Sequence, residues 1–168
     1  YYNPAAFIFE RHLEEDDLPY KIILVPNPYL LKENHAKALK KYVEKGGIFI
    51  TESRFGAKNE HGHLHQNCLL SDFLKITCDH IETISDRIYI PKIRCYAYGF
   101  RDLINGPEDV LLEYDDGYPA FIEKNIGKGK ILYATFSLFM SIGKMGNARL
   151  ADYVRGHLPL PEFFLKDK

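Results

Sequence analysis

An excess of charge of either sign is missing from this sequence: 22 Lys and Arg stand against 23 Asp and Glu, a formal net charge of −1. A chain so balanced sets up no field to draw in a phosphate backbone, which removes the main drive for non-specific nucleic-acid binding. Cysteine is scarce as well. Cys68, Cys78 and Cys95 are odd in number and lack CxxC spacing, so neither a disulfide framework nor a zinc knuckle is supported, and a reducing compartment fits best. Long apolar runs are absent: none approaches the roughly 20 residues that span a bilayer, and no charged-then-apolar leader opens the sequence. A soluble, cytoplasmic chain without nucleic-acid or membrane partners is expected. The phosphate-loop pattern GxxxxGK[ST] is missing too, and "GKGK" (127–130) leads into a strand rather than a helix, so it reads as a hairpin turn.

What is present is the make-up of an ordinary globular domain, 46% hydrophobic and 27% charged over 168 residues, enough for one core. The first residue is Tyr1, and a strand-like "AFIFE" (6–10) follows within a few residues. The chain therefore reads as a single domain, 1–168, cut from a longer protein.

"KIILVPN" (21–27) holds four consecutive aliphatic residues, the mark of a strand covered on both faces. In the next segment Leu31, His35, Leu39 and Val43 recur at spacings of four with Ala38 and Tyr42 beside them, which predicts an amphipathic helix stopped by Gly46. "GIFITES" (47–53) is the next strand, and strand–helix–strand with short joins implies a right-handed parallel crossover. "SRFGAKNEHGHLHQN" (53–67) reads as a polar excursion with a small hairpin around "NEHG", and "LLSDFLKIT" as a short helix capped by Ser71 or Asp72.

From residue 86 strands dominate. "RIYIPKIRCYAYGF" reads as one, and "YDDGY" and "NIGKGK" supply the turns of an antiparallel meander. A final helix in "NARLADYVRGHLPLP" presents Ala148, Ala151 and Tyr153/Val154 as its apolar stripe.

Two clusters invite chemistry. His61, His63 and His65 alternate, so in a strand their rings would share one side and offer a weak metal candidate, against the plainer reading of a surface loop. "EEDD" (14–17) lacks the spaced ligands of a cation loop and reads as a solvated turn. No metal or other cofactor is expected. The 12 Tyr and 11 Phe are mostly core and cross-strand residues, with any excess serving an oligomer interface.

Taken together, "YKIILVPNPYLLKENHAKALKKYVEKGGIFITESRFGAKNEHG", "LLSDFLKIT" before a β-rich part, "YPAFIEKNIGKGKILYATF" and the last helix resemble the middle domain of family 42 glycoside hydrolases. That is the β-galactosidase trimerisation domain, with a fold like class I glutamine amidotransferases, and the likeness runs over roughly residues 6–158. It implies an α/β domain with a three-layer, open, mostly parallel sheet (glutamine amidotransferase-like or flavodoxin-like) and an antiparallel β meander in the second half. It also implies a module that is not catalytic, joins three subunits, and follows a barrel carrying two catalytic glutamates. The family's first strand–helix unit and the barrel have no counterpart in this sequence.

Relatives of this fold that are hydrolases place a cysteine at the strand exit, where backbone N–H groups can stabilise an oxyanion. Here the exit reads Thr51, Glu52, Ser53, Arg54. Ser53 with a histidine from 61–65 and Glu52 or Glu60 is the alternative, hydrolytic reading, but a nucleophile elbow needs small neighbours, and Ser53 is flanked by Glu52 and Arg54 with Phe55 following. The expectation is no catalytic residue, with Ser53, Arg54 and Phe55 in a loop near the sugar pocket of the parent enzyme. A sugar-binding accessory module is a further alternative.

Overall fold

The structure, a computed structural model, describes residues 6–14, 18–65 and 69–159. Its main sheet contains β1 (Ile22–Val25), β2 (Ile48–Thr51), β5 (Val110–Glu113), β6 (Pro119–Ile126) and β7 (Gly129–Ala134) in the order β1-β2-β7-β6-β5. A separate ribbon pairs β3 (Thr77–Ile90) with β4 (Cys95–Asn105).

The crossover predicted from the sequence is present. β1 and β2 pair in parallel, Ile22 against Ile48 through Val25 against Thr51, and α1 (Glu33–Glu44) connects them. His35, Leu39 and Val43 are buried on α1 with Ala36 and Tyr42, and Gly46 takes φ +121° to end the helix. α2 (Ser71–Leu74) is the short helix expected, burying Phe73 and Leu74, but the N-cap position falls on Leu70, not on Ser71 or Asp72, and no side-chain hydrogen bond caps it.

Strand alternation then divides the core. Ile23, Phe49, Ile131 and Tyr133 face α1, while Ile48, Ile50, Leu132 and Ala134 face α3 (Leu138–Gly143) and α4 (Ala148–Gly156) on the other side. The "NIGKGK" turn closes tightly between β6 and β7: Gly127 has φ +59°, and a Cβ there would lie 2.6 Å from the Glu44 carbonyl oxygen.

Four expectations need correction. The sheet is mixed rather than mostly parallel: β2 and β7 also pair in parallel, but β7 with β6 and β6 with β5 are antiparallel. The meander is confined to β5–β7, because the "RIYIPKIRCYAYGF" run breaks at Pro91. Pro91–Ile93 form a 3-10 turn, Arg94 takes φ +50°, and the chain folds back as the β3–β4 ribbon instead of continuing into the sheet. "AFIFE" is not a strand: Phe7 and Phe9 are 102% and 65% exposed, and Glu10 begins a 3-10 turn, Glu10–Glu14, that packs Leu13 into the core. Finally, the buried stripe of α4 is Leu150 and Val154, while Ala148 is exposed.

α4 does have a side-chain cap. Asn147 accepts the Leu150 N–H at 3.2 Å, satisfying a donor that the first turn leaves free. Asn147→Ala is expected to destabilise the chain by about 1 kcal/mol, read as a lower urea midpoint with unchanged slope.

The ribbon is tied to the body by Ser137, the N-cap of α3, and Ser141 within that helix. Ser137 Oγ accepts the Phe100 N–H at 3.0 Å and Ser141 Oγ the Tyr98 N–H at 3.3 Å. The Asp102 N–H donates to the Thr135 carbonyl at 2.7 Å, so β4 lies against the end of β7.

Candidate functional site

The carboxyl ends of β1, β2 and β7 meet at the residues that follow β2. Thr51 ends the strand and donates its hydroxyl to the Val25 carbonyl at 3.1 Å. Glu52 comes next, 5% exposed, and its two oxygens accept different backbone donors: Asn27 N–H at 2.7 Å and Phe139 N–H at 2.8 Å. Burial raises its pKa, an effect those N–H groups partly offset. Glu52 thus ties the loop after β1 to the start of α3 and has no free oxygen with which to orient a base.

Ser53 is 2% exposed, and its backbone N–H donates to the Phe136 carbonyl at 3.3 Å. Among the described residues no imidazole is hydrogen-bonded to its hydroxyl; the bonded histidine rings are those of His12, His35 and His157. Phe55 is fully buried, edge-on to Phe49 with ring centroids 5.4 Å apart. Of the three residues expected near a sugar pocket, Arg54 has a solvent-accessible side chain.

Arg54 also holds the unusual backbone. Its φ of +68° is a left-handed conformation that costs a residue with a Cβ on the order of 1 kcal/mol. Two contacts offset this. Its N–H donates to Asp102 Oδ2 at 2.8 Å, and its guanidinium lies between two rings, 3.7 Å from the Tyr29 centroid and 4.0 Å from that of Phe100. Lys58 Nζ is 5.2 Å from the same Tyr29 ring. Hydrogen bonding to Arg54 and Lys58 lowers the Tyr29 phenol below its usual pKa, outweighing the upward push of desolvation.

Beneath this turn sits Asp102, 1% exposed. Its Oδ2 accepts from both the Arg54 N–H and the Tyr133 hydroxyl, and its Oδ1 has no partner. Burial pushes its pKa up to about 6 against the pull of those two donors. The neighbouring Arg101 binds Glu82 and Asp116 through different nitrogens, 2.6 Å each, and lies over the rings of Tyr114 and Tyr118. Sequence reading missed Tyr29, Phe100, Arg101 and Asp102. The one available signal was an Arg–Asp pair inside the otherwise apolar run "YGFRDLI".

The histidine trio does not form a strand face. His61 lies in the turn of the expected "NEHG" hairpin, where Asn59 N–H donates to the His63 carbonyl and Gly62 N–H to that of Asn59, both at 2.9 Å. Rings 61 and 63 are 6.4 Å apart, and no group of three metal-ligating side chains assembles among the described residues. Cys95 is buried as expected and Cys78 half-buried. Of "EEDD", Glu14 accepts from Asn34 and contacts His35, each at 3.1 Å. Cys68 and residues 15–17 lie outside the described residues. No described helix is long and apolar enough to cross a membrane.

The fold occurs in known proteins. Residues 11–150 match the family profile described as the β-galactosidase trimerisation domain. Over 48 residues the chain is 40% identical to β-galactosidase BgaA of Planococcus sp. (strain 'SOS Orange'), a stretch covering 29% of this chain and 7% of that protein. The β-galactosidase from Bacillus circulans sp. alkalophilus superposes on 85% of this chain with a TM-score of 0.66 and 23% identity. That of the Antarctic haloarchaeon Halorubrum lacusprofundi does so over 85% with a TM-score of 0.67 and 21% identity. The chain covers 24% and 23% of those two structures, about a quarter of their length, and at such identities they speak for the fold alone. The profile, by contrast, extends over most of the sequence, and this chain belongs to the β-galactosidase trimerisation domain family.

Proposed function

We propose that this chain is a non-catalytic module that assembles a β-galactosidase-type glycoside hydrolase into homotrimers in the cytoplasm and shapes its sugar pocket by position. The catalytic glutamates then belong to a barrel elsewhere in the parent protein, and the finer fold is that of the class I glutamine amidotransferases. One observation carries the reading. At the strand exit, where a relative with hydrolase chemistry needs an exposed nucleophile, Ser53 is buried, no base among the described residues is hydrogen-bonded to it, and the carboxylates beside it hold backbone N–H groups.

The loop 53–66 follows the carboxyl end of a strand, where open sheets present functional loops. Arg54 is its residue for reaching a sugar pocket, because Ser53 and Phe55 point inward. In the full-length enzyme, Arg54→Ala is expected to raise the galactoside KM by up to about tenfold with kcat little changed, the pattern of lost uniform binding. An unchanged KM removes the loop from the pocket. Labelling of Ser53 by a reactive-serine probe would overturn the non-catalytic reading itself.

A further inference from the structure

The geometry points to a two-ended docking surface along the carboxyl edge of the sheet, on which a basic, apolar patch at the β1–β2 end receives the acidic β5–β6 turn of a second copy of this chain. The inference rests on the self-association proposed above and names the surfaces that would carry it.

The patch is built by two isolated bridges, Leu30 with Lys58 and Lys58 with Leu64. Bridged residues share a face, so these three side chains stand in one row, while their neighbours Leu31 and Ala57 point the other way and are buried. Leu30 and Leu64 are 51% and 72% exposed, an apolar pair on either side of a lysine. Tyr29 and Arg54 border the row. Among the described residues neither Arg54 nor Lys58 has a carboxylate at ion-pair distance; the pairs formed by lysine and arginine side chains are those of Lys37, Arg101, Lys124, Lys130 and Arg155.

The opposite end of the same edge is complementary. β6 runs antiparallel to β7, which places the turn between β5 and β6 at the carboxyl side of the parallel strands. There Glu113 and Asp115 are exposed, without an ion pair among the described residues, and Tyr118 is 40% exposed beside them. Asp116 is already held by Arg101.

Three inter-strand spacings separate the middle of the β1–β2 end from the middle of the β6–β5 turn, about 14 Å at the usual sheet spacing. One chain therefore cannot bring its own turn onto its own patch. A two-fold contact of patch on patch would oppose Lys58 to Lys58 and leave the acids alone, an arrangement that like-charge repulsion disfavours. Patch to turn, head to tail, satisfies both sets of charges, covers Leu30, Leu64 and Tyr118, and closes into a ring when the rotation permits. The neighbour's turn would then abut the loop that carries Arg54.

The test is sedimentation velocity on the full 168-residue chain and on Lys58→Glu, Asp115→Lys and the double reversal, with circular dichroism to establish folding. Asp115 is exposed and meets the fold through its backbone N–H to the Tyr89 carbonyl, while Lys58 is half-buried with its ammonium 5.2 Å from the Tyr29 ring, the contact for which circular dichroism of Lys58→Glu is the control. Each single reversal is expected to weaken association by about tenfold or more and the double reversal to restore it. Singles that associate like the unaltered chain, or a double as dissociated as the singles, overturn the docking surface while leaving self-association standing. An unaltered chain that is monomeric at every concentration overturns both.

Discussion

Asp102→Asn is expected to remove a loss of stability that the unaltered chain suffers as pH rises from about 4 to about 6. The sign follows from proton counts. The buried carboxyl stays protonated in the folded state to about pH 6 but only to its ordinary value of 3.8 when unfolded, so the folded chain binds more protons between the two. Stability from this group is complete below the lower value, declines through the window and is lost above the upper one. The gap of about two pH units corresponds to about 3 kcal/mol. Asparagine keeps an oxygen for the Arg54 N–H and the Tyr133 hydroxyl without the charge, although its amide N–H₂ would occupy the position of the unpartnered Oδ1, a constant cost of about 1–3 kcal/mol. The comparison to make is therefore of slopes: urea midpoints of the two proteins, measured across the window, should diverge as pH rises. Parallel profiles would mean that Asp102 titrates normally and that the strand exit is wetter than its 1% exposure indicates.

Phe55→Ala is expected to cost 3–5 kcal/mol, about the range for deleting a buried aromatic ring. Phe55 is fully buried and meets Phe49 edge-on, so the substitution opens a cavity beneath the strand exit without touching the surface. Its effect should appear in thermal or urea unfolding. In the glycoside hydrolase proposed as the parent, galactoside KM should stay near normal wherever the protein remains folded, in contrast to Arg54→Ala. A Phe55 variant of unchanged stability would contradict the packing described.

Arg54 and Phe55 are adjacent in sequence, and their opposite placement marks what sequence reading could and could not recover. The crossover from β1 to β2 was legible because its signals are local: an aliphatic run, a four-residue period ending at Gly46, a second apolar run. The tight turns at "YDDGY" and "NIGKGK" were legible for the same reason. The placement of Ser53, Arg54 and Phe55 was not, since inward or outward direction after a strand depends on one backbone angle, and Arg54 adopts a left-handed φ that nothing in "TESRFG" announces. Asp102, 48 residues from Arg54, holds that angle, and no local pattern links them.

"AFIFE" failed differently. Its apolar run satisfies the strand template, but a strand needs a neighbouring strand, and among the described residues none pairs with it; Phe9 instead bonds His12 through its N–H and its carbonyl. The family likeness itself was recoverable because it rests on the order of segments, which survives such local errors.

Serine hydroxyls of α3 hold the β4 backbone at Tyr98 and Phe100, and two residues farther along the same strand Asp102 grips the turn after β2. The ribbon's own turn, Pro91–Ile93, is anchored as well: the Lys92 ammonium donates to the Leu111 carbonyl and the Arg149 guanidinium to that of Arg94, each at 3.0 Å. Held at both ends, β4 works as a strut, so a change that displaces Tyr98 or Phe100 is passed along the strand to the Arg54 N–H.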